Sequence, residues 1–442
     1  MARPDSARWF RGALIGVVAV GLAIRLTYVL ASRQFYDFGG DAYFYHAGAN
    51  VLADGHGFIS PFFTHRTVQA AEHPPLYVMF LAIPSVFGFQ SVLAHLVWST
   101  LLGASTVAVI GLAGREIAGP RVGIIAAGIA AVYPNVWVPD ASLMAETLAI
   151  SATAFAIWFA YRYWHAPSTG RLVLVGVAGG LGALSRSELV LLVPLLVLPL
   201  ALFVPGPDRR RRWIGVGAAS AAGIAVIAPW IVFNFTRFEK PVFLTSSYGS
   251  LLSSAECDRV WRADHKSYFS QQCTIDIRDR EMPSGQLDQS EQDEVYRKAA
   301  LRYVSHHKGM IPGVVGARLA AIVGLYHPNL QINIDSVIEG RDLWLARAGM
   351  YSFYGLALLS VAGAIALRRA RRVPLFPLVV PPVVVLITVV VTYASTRFRA
   401  SAEVVLCILA AVAVDATITA WTRRRQAPGT PIDAESEREA AT

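Results

Sequence analysis

The sequence predicts an all-α protein that crosses a membrane many times. Three observations carry that expectation. Hydrophobic residues make up 55% of the 442 positions, and charged residues only 16%, where a soluble chain carries about 25%. Long apolar runs alternate with short arginine-rich knots. Those knots abut the apolar runs instead of forming a separate basic surface, so the net charge of +9 reads as topology and not as a nucleic-acid interface.

A helix needs roughly 20 apolar residues to cross the hydrocarbon core. The stretches that qualify are 12–31, 91–113, 121–139, 142–162, 171–185, 188–205, 213–234, 344–367, 374–393 and 400–421, about ten in all. The first shows no convincing cleavage site after it, so it reads as a span and not as a leader. Arg3, Arg8 and Arg11, the pairs Arg115/Arg121 and Arg162/Arg171, and the clusters 209–212, 368–372 and 423–425 all fall on one side if ten spans are drawn. The positive-inside rule makes that side cytoplasmic, with both termini. The apolar segment 74–89 would reverse the parity and make eleven spans. It is short and broken by Pro74, Pro75 and Pro84, and reads as interfacial or re-entrant on the outer side. The expected organisation is one transmembrane domain over 1–421, with outer segments at 32–90 and 236–342 and a disordered cytoplasmic tail at 422–442. The sequence shows no internal repeat, which weakens a transporter reading.

Candidate site residues lie at the outer ends. In the first outer segment Phe44, Ala47, Gly48, Val51 and Leu52 share one helical face, closed by Gly55 and Gly57. Asp41 stands at the start of that helix, either as an N-cap or as a general base at the membrane boundary. Glu72 and His73 precede Pro74-Pro75, either as a polar helix start or as hard and imidazole ligands for a divalent cation. Asp140 and Glu146 sit at the outer end of the fourth span, and an ionisable group inside an apolar helix usually has a partner or a function. Arg186 with Glu188, and Arg397 and Arg399 with Glu403, break the positive-inside pattern. Such arginines pair internally or grip the phosphate of a lipid. Residues 290–308 pattern as an amphipathic helix, and 311–325 are apolar. Cys257 and Cys273 share the second outer segment, where an oxidising exterior permits a disulfide, and Cys407 is filler within the last span. No P-loop or dinucleotide fingerprint is present, so no nucleotide cofactor is expected.

These residues occur in an order that resembles the C-type glycosyltransferase superfamily, in its bacterial branch similar to protein O-mannosyltransferases and the lipid A aminoarabinose transferase. The elements are Asp41 with Tyr43, Tyr45, Gly55 and Gly57; the Glu-His-Pro-Pro-Leu-Tyr run at 72–77; Gly114-Arg115-Glu116 with Gly119-Pro120-Arg121; Pro139-Asp140 with Glu146; the run 180–186; Pro229-Trp230, Asn234 and Lys240-Pro241-Val242; and Arg397-Phe398-Arg399. The resemblance implies transfer of a hexosyl or pentosyl group from a polyprenyl-phosphate carrier to an extracytoplasmic protein, lipid or glycan, with inversion. It implies Asp41 as the base and Glu72 near the acceptor or a metal. The departing phosphate would be stabilised by Arg186, Arg397 or Arg399, with His73, Tyr45, Asp140, Glu146 and Glu188 in support. Ala42 stands where many members carry a second acid, and His73 where some carry a lysine. The competing readings are a lipid-linked-sugar flippase or transporter, and a non-catalytic envelope-assembly protein.

Overall fold

The computed structural model describes residues 4–32, 39–63, 67–264, 266–282 and 287–426. Among them the secondary structure is helical, apart from one isolated bridge between Ile59 and Gln69. In chain order the helices are α1 (Pro4–Ser32), α2 (Gly40–Ala53), α3 (Leu76–Val86), α4 (Val92–Ala118), α5 (Pro120–Val132), α6 (Pro134–Trp137), α7 (Glu146–His165), α8 (Thr169–Ser185), α9 (Leu192–Phe203), α10 (Arg209–Phe235), α11 (Tyr248–Ala255), α12 (Asp258–Trp261), α13 (Gln271–Glu281), α14 (Gln289–His306), α15 (Ile311–Ile322), α16 (Pro328–Val337), α17 (Leu343–Ala370), α18 (Phe376–Val391) and α19 (Ala400–Gln426).

Each apolar stretch marked in the sequence is helical over most of its length. Among the described residues, five helices are long and apolar enough to cross a membrane, or six if the bent pair 120–132 and 134–141 counts as one, and four further apolar helices are shorter. The protein is therefore of all-α membrane type. The stretch 121–139, expected as one straight span, turns by 75° at Tyr133-Pro134. The cause is local: a residue before proline is driven out of the helical region, and Tyr133 sits at φ −72°, ψ 115°. In the segment expected to lie at the interface, α3 has 11 residues; at 1.5 Å per residue it reaches only about 16 Å, half the thickness of the hydrocarbon core. The final helix continues to Gln426, so residues 422–426 are helical where a disordered tail was expected; the rest of that tail, like residues 33–38 and 64–66 of the first outer segment, lies outside the described residues.

Close backbone approach holds the long helices together. A Cβ on Gly176 would stand 2.0 Å from the carbonyl oxygen of Ala219, and one on Gly363 would stand 1.9 Å from that of Leu409. Only glycine permits these α8–α10 and α17–α19 contacts, the means by which helices associate where lipid removes the hydrophobic drive. The main apolar core gathers Val107, Ile110, Ala126, Ile157, Val404 and Ile408 from α4, α5, α7 and α19.

The helix ends separate two kinds of charge. Arg115 ends α4, Arg162 ends α7, Arg209–Arg212 open α10, Arg368 and Arg369 end α17, and Arg423–Arg425 end α19. Glu146 opens α7, Arg186 follows α8, and Arg397 precedes α19, at the opposite ends of those helices. Helices α11 to α16 cover this second end. Within that cover α14 begins with a capping box between Asp288 and Glu291, and Cys257 and Cys273 are joined in a disulfide that ties α12 to α13.

Candidate active site

Asp41 lies in the first turn of α2, and its side chain does not cap the helix; Gly39 holds the N-cap position without a side-chain bond. Its carboxylate instead faces the other end of the chain. Oδ2 accepts from Nη2 of Arg397 at 2.7 Å, and Oδ1 lies 3.4 Å from Nε2 of His73. Burial would raise the Asp41 pKa, but Arg397 and then His73 overrule it and hold the carboxyl well below the usual carboxylate range.

Arg397 stands on the single helical turn Thr396–Arg399, which interrupts the chain between α18 and α19. Its guanidinium is the hub of the site. Nε donates to Glu146 at 2.7 Å, Nη2 to Asp41, and Nη1 to both oxygens of Glu339 at 3.2 and 3.4 Å. Glu146, fully buried, also accepts from Nη1 of Arg186 at 2.6 Å, and Nε of Arg186 donates to Glu188 at 2.7 Å. An ionised carboxylate without such partners would be costly in this place. A further layer fixes the turn itself: Thr396 donates to the buried Asp335 at 2.5 Å, and Arg341 lies 3.6 Å from the same carboxylate.

Glu72 reaches the site through a different set of contacts. Its Oε1 accepts from Nε2 of Gln289 at 2.6 Å and from Ser60 at 3.4 Å, and its backbone carbonyl accepts from Thr245 and Ser247. Burial pushes the Glu72 pKa up, against the opposing pull of His73 and Gln289. Tyr45 is buried behind His73, ring to ring at 5.0 Å, and packs edge-on against Tyr77.

Asp41, Glu72, His73, Glu339 and Arg397 line a cavity of about 680 Å³, closed on its outer-segment side by α11 and α13. The other residues singled out in the sequence fall elsewhere. Asp140 forms a buried pair with Arg25 of α1 at 2.7 Å and is absent from the cavity lining. Arg399, only two positions from Arg397, points into the core; it pairs with Glu403 at 3.1 Å, donates to the carbonyl of Ile322 and stacks on Phe353. Glu72 and His73 engage different partners, and among the described residues no group of three His, Cys, Asp or Glu is placed to hold a metal ion.

Sequence reasoning missed Glu339, Asp335, Arg341 and Gln289. Glu339-Gly340-Arg341-Asp342 precedes an apolar span and looks like an ordinary solvated connection. Gln289 is a lone amide at the start of an amphipathic helix. Neither carries a motif, and only the folded chain brings them to Arg397 and Glu72.

Residues 72–233 match the sequence profile of the family described as Dolichyl-phosphate-mannose-protein mannosyltransferase. No curated protein sequence matches the chain. Among solved structures, the oligosaccharyltransferase of Archaeoglobus fulgidus in its apo form superposes at TM-score 0.55 with 15% identity, covering 94% of this chain and 51% of that one. The same organism's AglB, in complex with an inhibitory peptide and a dolichol-phosphate, gives TM-score 0.55 with 17% identity over 96% and 52%. ArnT from Cupriavidus metallidurans bound to undecaprenyl phosphate gives TM-score 0.41 at 15% identity over 90% and 78%, too loose an overlap to align individual residues. The chain thus spans about half the length of the oligosaccharyltransferases whose fold it shares. The chain is thus similar over residues 72–233 to the mannosyltransferase family, and in its all-α fold to the archaeal oligosaccharyltransferases.

Proposed function

We propose that the protein transfers a sugar from a polyprenyl-phosphate carrier to an acceptor hydroxyl on the extracytoplasmic side of the membrane. The observation that supports this most is the linked cluster of Asp41, His73, Glu146, Arg186 and Arg397, on the helix ends opposite the basic knots, of which Asp41, His73 and Arg397 line the cavity. A phosphate-bound lipid keeps its headgroup at that level, and its sugar can enter the cavity while the chain stays in the bilayer.

The chemistry follows from the residues present. The acceptor oxygen bonds to the anomeric carbon as the bond from that carbon to the phosphate oxygen breaks, with inversion. The electron pair leaves on the polyprenyl phosphate, whose growing charge meets the guanidinium of Arg397, backed by Arg186. The acceptor proton passes to Asp41. A carboxylate held ionised by a guanidinium is a weak base, but the hydroxyl grows acidic as its oxygen bonds to carbon, so a weak base suffices. Glu72, across the cavity and anchored by Gln289, orients the acceptor. A flippase is less well supported, because its ionisable groups belong near mid-membrane between repeats, whereas these gather at helix ends.

The test is incubation of purified protein with a panel of radiolabelled polyprenyl-phosphate sugars and membrane acceptors, with and without chelator. Consumption of one donor with label in an acceptor supports the reading. Movement of intact donor across a vesicle bilayer without cleavage favours the flippase.

A further inference from the structure

This inference rests on the reading that the cavity takes a polyprenyl-phosphate sugar. In the structure the donor-binding face of Arg397 is already filled. Its three nitrogens serve three carboxylates: Glu146, Asp41 and Glu339. With Glu188 on Arg186, four carboxylates meet two guanidiniums; the pair Arg341–Asp335 adds one charge of each sign. A phosphodiester brings another negative charge to a cluster that already has an acidic excess. It reaches the Arg397 fork only if a carboxylate leaves.

The geometry selects which one. Glu146 is the most deeply buried and is braced from both sides by Arg186 and Arg397 at 2.6 and 2.7 Å. Asp41 is held at 2.7 Å and faces His73 as well. Glu339 makes the longest contacts of the three, 3.2 and 3.4 Å. It stands on the short connection between Val337 and Leu343, where Gly340 adopts φ +65°, a conformation natural to glycine. Both of its oxygens face one nitrogen of the fork, on a wall of the cavity formed with Ile338 and Gly340. Two phosphate oxygens would present a similar pair of acceptors.

We propose that Glu339 occupies, in the donor-free protein, the face of Arg397 that takes the donor phosphate, and that donor binding displaces it. The same carboxylate acts again after transfer. The product is a phosphomonoester, more negative than the diester donor, and a returning Glu339 competes with it for Arg397. Glu339 thereby sets donor affinity and drives release of the spent carrier, while Asp41 and Glu146 stay in place.

The test uses the full-length protein in detergent and undecaprenyl phosphate as the probe. Glu339→Gln removes the competing charge and keeps the shape. It should bind the probe about ten- to hundredfold more tightly than the wild type. In steady state its donor KM and its kcat should both fall, with stronger inhibition by added undecaprenyl phosphate. Glu339→Asp keeps the charge but draws it back by one methylene, and should bind with an affinity between the two. A folded Glu339→Gln protein that binds the probe no more tightly than the wild type overturns the proposal; if that variant does not fold, Glu339→Asp decides on the same criterion. If the wild type transfers sugar and the variants gain no affinity, only this inference fails. If the wild type neither binds the probe nor consumes any donor, the reading of the site fails with it.

Discussion

Nη2 of Arg397 and Oδ2 of Asp41 lie 2.7 Å apart although 356 positions separate the residues in the chain. This contact closes the bundle, joining the first helix after α1 to the turn that opens the last. It also makes Arg397 answerable to several carboxylates at once, because its Nε grips Glu146 and its Nη1 faces Glu339. A planar fork can serve three partners in this way, and a lysine ammonium cannot.

Arg397→Lys should therefore keep the charge and lose the geometry. We expect kcat/KM to fall by about 10²- to 10³-fold with the protein still folded, measured by donor turnover alongside thermal melting. Arg397→Ala should be worse in a different way, because it leaves Glu146 buried with one guanidinium fewer; a loss of about 3–5 kcal/mol is expected for breaking such a pair. Turnover by Arg397→Lys equal to wild type would show that the fork does not hold the phosphate.

The pH profile separates the two carboxylates of the cavity. Asp41 is held below the ordinary carboxylate range by Arg397 and His73, so it stays ionised as pH falls through that range. Glu72 is pushed upward by burial from its usual value of 4.5, and takes up a proton first. Where both must be ionised, the acidic limb of kcat/KM belongs to Glu72 and lies above 4.5. Gln289→Leu removes the amide that favours the ionised form, so the limb should move to higher pH and activity should be lost earlier on acidification. A limb that does not move when Gln289 is replaced would contradict this assignment.

Asp140 separates stability from chemistry. It faces Arg25 in a pair that is 0% and 1% exposed. Asp140→Ala should cost about 3–5 kcal/mol, because it strands a buried guanidinium, and the loss should show as a lower melting temperature. Molecules that remain folded should turn over donor at nearly the wild-type rate. A folded Asp140→Ala protein with turnover reduced a hundredfold would assign Asp140 to the chemistry after all.

Much of this arrangement was legible in the sequence. Asp41, Glu72 and His73 stand out as polar groups at helix starts in the first outer segment, and Arg186 and Arg397 as arginines on the side opposite the basic knots; all but Arg186 line the cavity, and Arg186 is linked to Arg397 through the shared Glu146. Arg399 gave the same signal and belongs to the core. Two positions further along a helical turn, its side chain points away from Arg397, and a linear reading cannot tell which of two nearby arginines faces the cavity. The bend at Tyr133-Pro134 is written in the proline, but it lies within an apolar stretch whose length alone suits a single span. Glu339 and Gln289 could not be found at all from spacing, because their partners lie 58 and 217 positions away. Only the packing of the outer segment brings them to the site.

The most direct measurement is label transfer from a polyprenyl-phosphate sugar by wild type and by Asp41→Asn, each shown to be folded and to bind undecaprenyl phosphate. Asparagine keeps the size of the side chain and cannot take the acceptor proton. Transfer by the wild type with a loss of about 10²- to 10⁴-fold in the variant is the result expected if Asp41 is the base. Equal rates in the two proteins would contradict it.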